Sequence, residues 1–454
     1  MVQPESTHTS ALGVEEVALM AAAVTAVFAV TRAGLGMALA LAAIAVAASI
    51  TLRRTGTTAQ WCAMSVTLVP WLVLRDNAWL AISIGFTIAL MFSLSLVAGA
   101  SNQSIWDLSI RSLFTRPPAP SPQGAPTNSD ASLRGLGVGL LVATPIVSSF
   151  YLLLASADAV FASIVDPSAL PVARFVLFFT VAFIATVMLR FGAAGRDGKA
   201  PIAKQRFGSL EASVVLGAVS ILFASFIAVR FATIGRSLDD LGLRAEVRSG
   251  FFQLLWVAAL TVVLILAIRE VSGGSVSRRV RNLGLLAIGL AAVIDGLAMY
   301  RIWQYVDQSF VTQLRFWSFG FGLWLLVVLA LAAFRLAGFK PSTNWFTGAM
   351  VTSWMVFVLA MAVTNPDVRI VEHNFANPPS GEGEYISVIP LIELSEDATP
   401  LIVENIEVLR PLPNDRYQRT VDHLCATEVD SGVRSFNFGR RSASLATATL
   451  CGLD

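Results

Sequence analysis

The chain has 454 residues, 55% of them hydrophobic and only 14% charged, with a formal net charge of +2 and a mean hydropathy of +0.69. Soluble domains carry about 25% charged residues, and a water-soluble fold of this size has no interior large enough to hide so much apolar surface. Lipid suits it as solvent, and arginines scattered between apolar runs, with no basic stripe, exclude a nucleic-acid surface.

In chain order, the polar start MVQPESTHTSALGV (residues 1–14) has no Lys or Arg, so no cleaved secretory signal is expected. Eleven apolar runs long enough for membrane helices follow, at roughly 15–31, 35–52, 60–74, 78–98, 135–155, 172–190, 210–234, 251–268, 283–303, 312–334 and 344–363. The third is short and contains Pro70, which a helix bundle tolerates when neighbours satisfy the freed carbonyl. The expected fold is therefore all-α. A four-span block (15–98) and a seven-span core (135–363) are joined by a partly disordered cytoplasmic linker (99–134) rich in Pro, Ser and Gly, TRPPAPSPQGAPTNSDAS. The runs near 210–234 and 251–268 flank a charged connector, RSLDDLGLRAEVRS, where Ser237 and Asp240 have capping-box spacing for a short surface helix.

The last segment, 364–454, is a small extramembrane tail with helices expected near 385–409, 414–427 and 433–450. From Asn365 onward it carries fourteen acidic residues against seven arginines. Basic residues in the loops set orientation. With the N-terminus inside, sixteen Lys and Arg fall on the cytoplasmic side and nine on the other. An odd number of spans then sends the tail outside, in a multi-pass protein of the cytoplasmic membrane. Cys425 and Cys451 both lie in the tail, and an oxidising compartment would allow them to pair.

Chemical motifs are sparse. There is no G-x-x-x-x-G-K-[ST], no H-E-x-x-H, no Cys/His metal spacing and no G-x-S-x-G. No cofactor and no metal is expected, and catalytic residues are not identified. What stands out is charge at membrane depth, which costs roughly 2.5–3.5 kcal/mol on insertion scales and is a functional hypothesis by default. Asp295 is the leading candidate. It sits deep in LGLLAIGLAAVIDGLAMYRIW with Ala291 and Met299 one turn away on either side, and Arg301 faces elsewhere. Asp158 in the SADAVF run, Glu211 at the start of its span, Arg248 in the connector and Arg301 complete the candidates. The blander readings are a helix cap or surface residue for Asp158, an inner-surface carboxylate for Glu211, and snorkelling for Arg230 near the end of its span.

Several runs carry a resemblance. LEASVVLGAVSILFASFIAV followed by AEVRSGFFQLLWVAAL, with SADAVFA, MYRIWQYVDQSFVTQLRFWSFGFGLWL, NPDVRIVEHNF, LSEDATPLI and VRSFNFGRRSA, resembles a domain-of-unknown-function family of bacterial polytopic membrane proteins, the 4173 type. The likeness runs from about Leu140 to the end and departs at RFATIGRSLDD, where the family has an aromatic, Gly-rich run. It implies a polytopic fold and no particular activity. Three functions stay open. The first is transport or flipping of a small or lipid-linked substrate, with Asp295 as a proton or cation site. The second is a membrane sensor or envelope-assembly partner acting through 364–454. Third comes a membrane-embedded transferase, ranked last because the long acidic outer loop common in such enzymes is missing. The lipid bilayer is the expected partner in every case.

Overall fold

A computed structural model describes residues 34–42, 67–101, 130–158, 161, 208–233, 250–271, 276–308, 310–339, 345–377, 391, 393–409, 416–426 and 433–452. Among these residues all regular structure is helical. Residues 35–42 are helical, and after them in chain order come the helices α1 (Trp71–Leu74), α2 (Ala78–Ser101), α3 (Asp130–Ala157), α4 (Ser209–Thr233), α5 (Gly250–Val271), α6 (Arg278–Gln308), α7 (Gln313–Ala337), α8 (Trp345–Thr364), α9 (Pro366–Ala376), α10 (Thr399–Glu404), α11 (Arg416–Ala426) and α12 (Phe438–Cys451). Single 3-10 turns at Glu396–Ala398, Ile406–Leu409 and Val433–Ser435 join the last of them.

Five helical stretches are long and apolar enough to cross a membrane: Ser209–Ala232, Phe252–Arg269, Arg278–Gln304, Gln313–Ala337 and Trp345–Thr364. Shorter apolar stretches, Ala78–Ile88 and Val142–Ala157, lie within α2 and α3, where two more spans are expected. Eleven spans are thus not what the described residues display. The runs 15–31 and 172–190, the surface helix at 237–249 and most of the 99–134 linker fall outside them. Two boundaries are corrected. Of the expected span 60–74, the described part is a turn and the one-turn helix α1, because Pro70 at its N-cap has no N–H to extend a helix backwards through it. At the linker, α2 runs on to Ser101 and α3 already begins at Asp130.

Large side chains on the spans point outward, Ile221 and Trp256 being 70% and 61% exposed. Apolar residues face out as well as in, the pattern of helices in lipid and not of helices on a water-soluble core. Several hydroxyls on these helices fold back onto the preceding turn, as when Thr261 donates to the Val257 carbonyl at 2.7 Å, which lowers the cost of a polar group on a span.

The chain forms two units that cut across the expected order of blocks. One comprises Met1–Arg116, Tyr305–Gly320 and Ser342–Asp454; the other comprises Pro117–Gln304 and Phe321–Pro341. In the first, α2 packs on α8 around Leu80, Ile84, Met355 and Val358, with Trp317 buried between them. Trp354 lies edge-on to Phe86 at 5.9 Å and donates its indole N–H to the Thr87 hydroxyl at 2.8 Å. The tail has its own core of Val371, Leu391, Ala398, Ile402, Ile406, Leu409 and Leu424. Its opening helix α9 was not expected from the sequence, although Pro366 at the first position and Asp367 in the first turn are N-terminal helix signals. Asn374 on α9 pins the segment before α7: its amide accepts from the Val311 N–H and donates to the Val311 carbonyl, both at 2.9 Å.

In the second unit α3 packs along α4. Phe150 meets Phe223, and Phe161 meets Phe226, each edge to face at 5.2 Å. On α6, Gly284 leaves room for Leu336, which a Cβ there would approach to 2.5 Å. Small residues at such crossings let membrane helices come close, where packing replaces the hydrophobic effect as the driving force.

Candidate functional site

Asp295 sits at the centre of α6 and is fully buried. Ala291, Ile294 and Ala298 beside it are equally inaccessible. Neither carboxylate oxygen has a hydrogen-bond partner among the described residues. Ser220 Oγ on α4 and Gln253 Oε1 on α5, in the same unit, are also buried with no partner among the described residues. Buried polar atoms are nearly always satisfied, which makes these groups exceptions.

The other sequence candidates resolve differently. Asp158 is neither at the surface nor free. One of its oxygens takes ion pairs from Arg230 and Arg301, both at 2.6 Å, while the other accepts the Phe161 N–H at 3.0 Å. Arg301 also donates to the Ala157 carbonyl at 2.8 Å, holding the last turn of α3. This is a clamp joining α3, α4 and α6, and it corrects the snorkelling reading of Arg230. Glu211, in the first turn of α4, folds its carboxylate over Gly208, where a Cβ would meet it at 2.2 Å; that is the position of an N-terminal cap. Arg248 lies outside the described residues. Cys425 and Cys451 are joined as a disulfide with Cα atoms 5.8 Å apart, tying α11 to the end of α12.

A second polar site, which residue-by-residue reading of the sequence missed, is built in the first unit where the tail meets the ends of α2 and α8. Its centre is the corner Arg75–Asp76–Asn77 between α1 and α2. Asn77 caps α2 by accepting the Leu80 N–H at 2.9 Å, and its amide nitrogen donates to Asp367 at 2.9 Å. Asp367, fully buried at the start of α9, also accepts from Gln313 at 2.8 Å and from the Ser395 N–H at 3.1 Å, with the Ser395 hydroxyl as a fourth donor. The Asp76 N–H donates to Asp397 at 3.1 Å, and the Asp76 carboxylate pairs with buried Arg440 at 3.2 Å. Asn437 caps α12 through its oxygen, which accepts from the N–H groups of Gly439 at 2.8 Å and Arg440 at 3.3 Å. Its nitrogen donates to the carbonyls of Leu72 and Arg75, at 2.9 and 2.8 Å. These carbonyls end α1, where no further helical turn can satisfy them.

Burial pushes the Asp397 carboxyl up to about 7, against the pull of the Asp76 N–H and the Arg75 charge. Its side chain borders a cleft of about 430 Å³ that is also lined by Trp71, Arg75, Asn365, Phe438 and Gly439. Asn365, between α8 and Pro366, has φ 53° and ψ 78°, the one non-glycine residue with positive φ among the described residues. Asn tolerates that region better than most side chains. The amide oxygen of Asn365 is buried and has no partner among the described residues.

Among known families, the profile described as "Domain of unknown function (DUF4153)" matches residues 18–405. The 4173 type is corrected accordingly: the match begins well before Leu140, takes in the first apolar runs, and ends before the VRSFNFGRRSA run. No curated protein and no solved structure matches the chain.

Proposed function

We propose that this chain, which belongs to the DUF4153 family of unknown function, moves a small or lipid-linked substrate across the cytoplasmic membrane, with Asp295 taking up and releasing the proton or cation that accompanies it. The observation that carries this reading is the fully buried Asp295 carboxylate with no hydrogen-bond partner among the described residues. A purely structural carboxylate at such a place would be expected to have a donor, because leaving a buried charge unpaired costs several kcal/mol. Buried Ser220 and Gln253, also without a partner among the described residues, add polar groups on two other spans of the same unit. The proposed frame is an eleven-span bundle with the N-terminus inside and the tail outside, which reporter fusions after Pro126 and Pro379 test by reporting opposite sides.

The deciding experiment uses proteoliposomes carrying a fluorescent phospholipid and an internal pH dye. Wild type should accelerate lipid flipping or proton entry over empty vesicles, and Asp295→Asn should insert and fold normally yet lose the pH or cation dependence. An Asp295→Leu protein as active and as stable as wild type would remove Asp295 from the mechanism. A second reading, a receptor or envelope-assembly partner acting through 364–454, is favoured by the folding of the tail onto helix ends around a polar cleft. The transferase reading loses its motive, because Asp158 is held by two arginines.

A further inference from the structure

The cleft bordered by Arg75, Asn365 and Asp397 shares no residue with the Asp295 region and stands whether or not the transport reading holds. Its polar groups are of three kinds. Arg75 places a cation at the rim, with its guanidinium carbon 5.8 Å from the centre of the Trp71 ring. Among the described residues its Nε alone is hydrogen-bonded, donating to the Ala362 carbonyl at a long 3.3 Å, and it makes no ion pair there. Arg440, the other arginine at this corner, is committed to Asp76 and to the Ser435 carbonyl. Arg75 is therefore a guanidinium with donors to spare, and such a fork suits carboxylate or phosphate.

Asn365, which lines the cleft, contributes a buried acceptor with no partner among the described residues, on a left-handed backbone that is uncommon for non-glycine residues and that Asn adopts most readily of them. Backbone strain of this kind costs on the order of 1–3 kcal/mol and concentrates at ligand sites. Asp397 adds a carboxyl whose Oδ2 is used by the Asp76 N–H. Its Oδ1 lies against Gly439, where a Cβ would come within 1.8 Å of it. A side chain at 439 would thus displace this oxygen, and glycine keeps the first turn of α12 close to Asp397 without covering it.

An anchor for an anion and two acceptors for a donor, in a cleft also lined by Trp71 and Phe438, define a ligand. We propose that this cleft binds a molecule bearing an anionic group next to an amine or hydroxyl, with the anion on Arg75 and the donor shared by Asn365 and Asp397. A zwitterionic phosphate-and-ammonium group fits this chemistry, and it can arrive as a free solute or as a lipid headgroup. The flanking apolar residues Leu74, Val368 and Pro400 accommodate the carbon skeleton of either.

The test is calorimetric titration of the full-length protein in a neutral maltoside detergent, with glycerophosphoethanolamine as the soluble probe and phosphatidylethanolamine in mixed micelles as the lipid probe. Saturable binding of at least one is expected. Arg75→Gln should weaken it at least tenfold, and Asn365→Gly should weaken it about tenfold, the worth of one hydrogen bond. Asn365→Gly removes a side chain that makes no bond and eases the backbone, so it should stay folded even where Arg75→Gln does not. Tighter binding in the micelle that displaces the soluble probe identifies a lipid headgroup; binding of the soluble probe that lipid fails to displace identifies a solute. Wild type that binds neither probe, or a folded Asn365→Gly that binds as wild type does, overturns the proposal.

Discussion

Asn437 is the side chain whose replacement best tests whether the tail is held to the helix ends by specific bonds. It is almost fully buried and makes four hydrogen bonds, two as the cap of α12 and two as donor to the Leu72 and Arg75 carbonyls. Loss of an N-cap costs about 1 kcal/mol. Stripping the donor from two buried carbonyls costs about 1 kcal/mol each, so Asn437→Ala should destabilise this unit by about 3 kcal/mol. At roughly 2–4 °C per kcal/mol for a unit of this size, the apparent Tm in detergent should fall on the order of 6–12 °C. Asn437→Asp separates the two contributions, because Asp caps as well as Asn. It cannot donate, however, and it sets a carboxylate oxygen where the nitrogen stood, under 3 Å from two carbonyl oxygens. If the bridge to α1 matters, Asp should be at least as harmful as Ala. An Asp variant that melts with wild type would show that only the cap counts and would refute the bridge.

Three further outcomes follow from the geometry. Asp158→Asn leaves the Arg230 and Arg301 guanidiniums facing each other and should cost about 2–3 kcal/mol, below the roughly 3–5 of a fully buried pair because these side chains are 20% and 13% exposed. Thermal melts should show Asp158→Asn/Arg301→Gln recovering part of that loss, and an unshifted single variant would contradict the clamp. Cys451→Ser opens a covalent loop of 26 residues and should lose about 3 kcal/mol; identical non-reducing gel mobility and freely titrating thiols at both positions in wild type would rule the bond out. For Asp397, a folded-state value of about 7 against 3.8 unfolded means that the folded protein holds the extra proton between those limits. Its contribution to stability is fully present below pH 4, declines by up to about 1.4 kcal/mol per unit as pH rises, and is gone above 7. The groups facing it are Asp76, Arg75 and Asp367. Asp397→Asn should flatten the pH–Tm profile over that window, and an unchanged slope would assign it elsewhere.

The sequence made some levels of this structure legible and hid others. Spans are set by length and apolarity alone, and α4 through α8 lie within a few residues of where hydropathy puts them. Asp295 was also legible, because a charge in an otherwise apolar run needs no partner to be noticed. Asp158 was visible as a residue but not as a clamp: its partners lie 72 and 143 positions away, and no local pattern pairs them. The tail site was hidden for the same reason. Asp76 and Asn77 are an unremarkable turn, and Asn437 and Arg440 an unremarkable helix start, until the fold brings 362 residues of separation to 2.8 Å. The signals that existed were caps: Asn77 before Leu80, Pro366 with Asp367, and Asn437 before an Arg-rich first turn. Cap residues that satisfy a helix on one side and a distant carbonyl or carboxylate on the other carry long-range information in a local motif.

The way the tail is attached has a consequence for what it can do. An acidic segment joined to the membrane part by chain connectivity alone would transmit nothing to it. Here Asp367, Asp397, Asn437 and Arg440 each bond to the three-residue corner that starts α2 or to the carbonyls just before it, and Arg75 at that corner reaches the Ala362 carbonyl near the end of α8. A molecule seated between Arg75 and Asn365 touches the starts of α2 and α9 together, and its only leverage on them is the difference in its affinity for two arrangements of those ends. Neutral hydrogen bonds of about 1 kcal/mol each hold much of the corner, so a differential of one or two such bonds would shift the population of arrangements five- to thirtyfold. That is the range in which a ligand bound at the proposed cleft would change the balance between arrangements measurably, and it requires no motion larger than the exchange of one donor for another at Arg75.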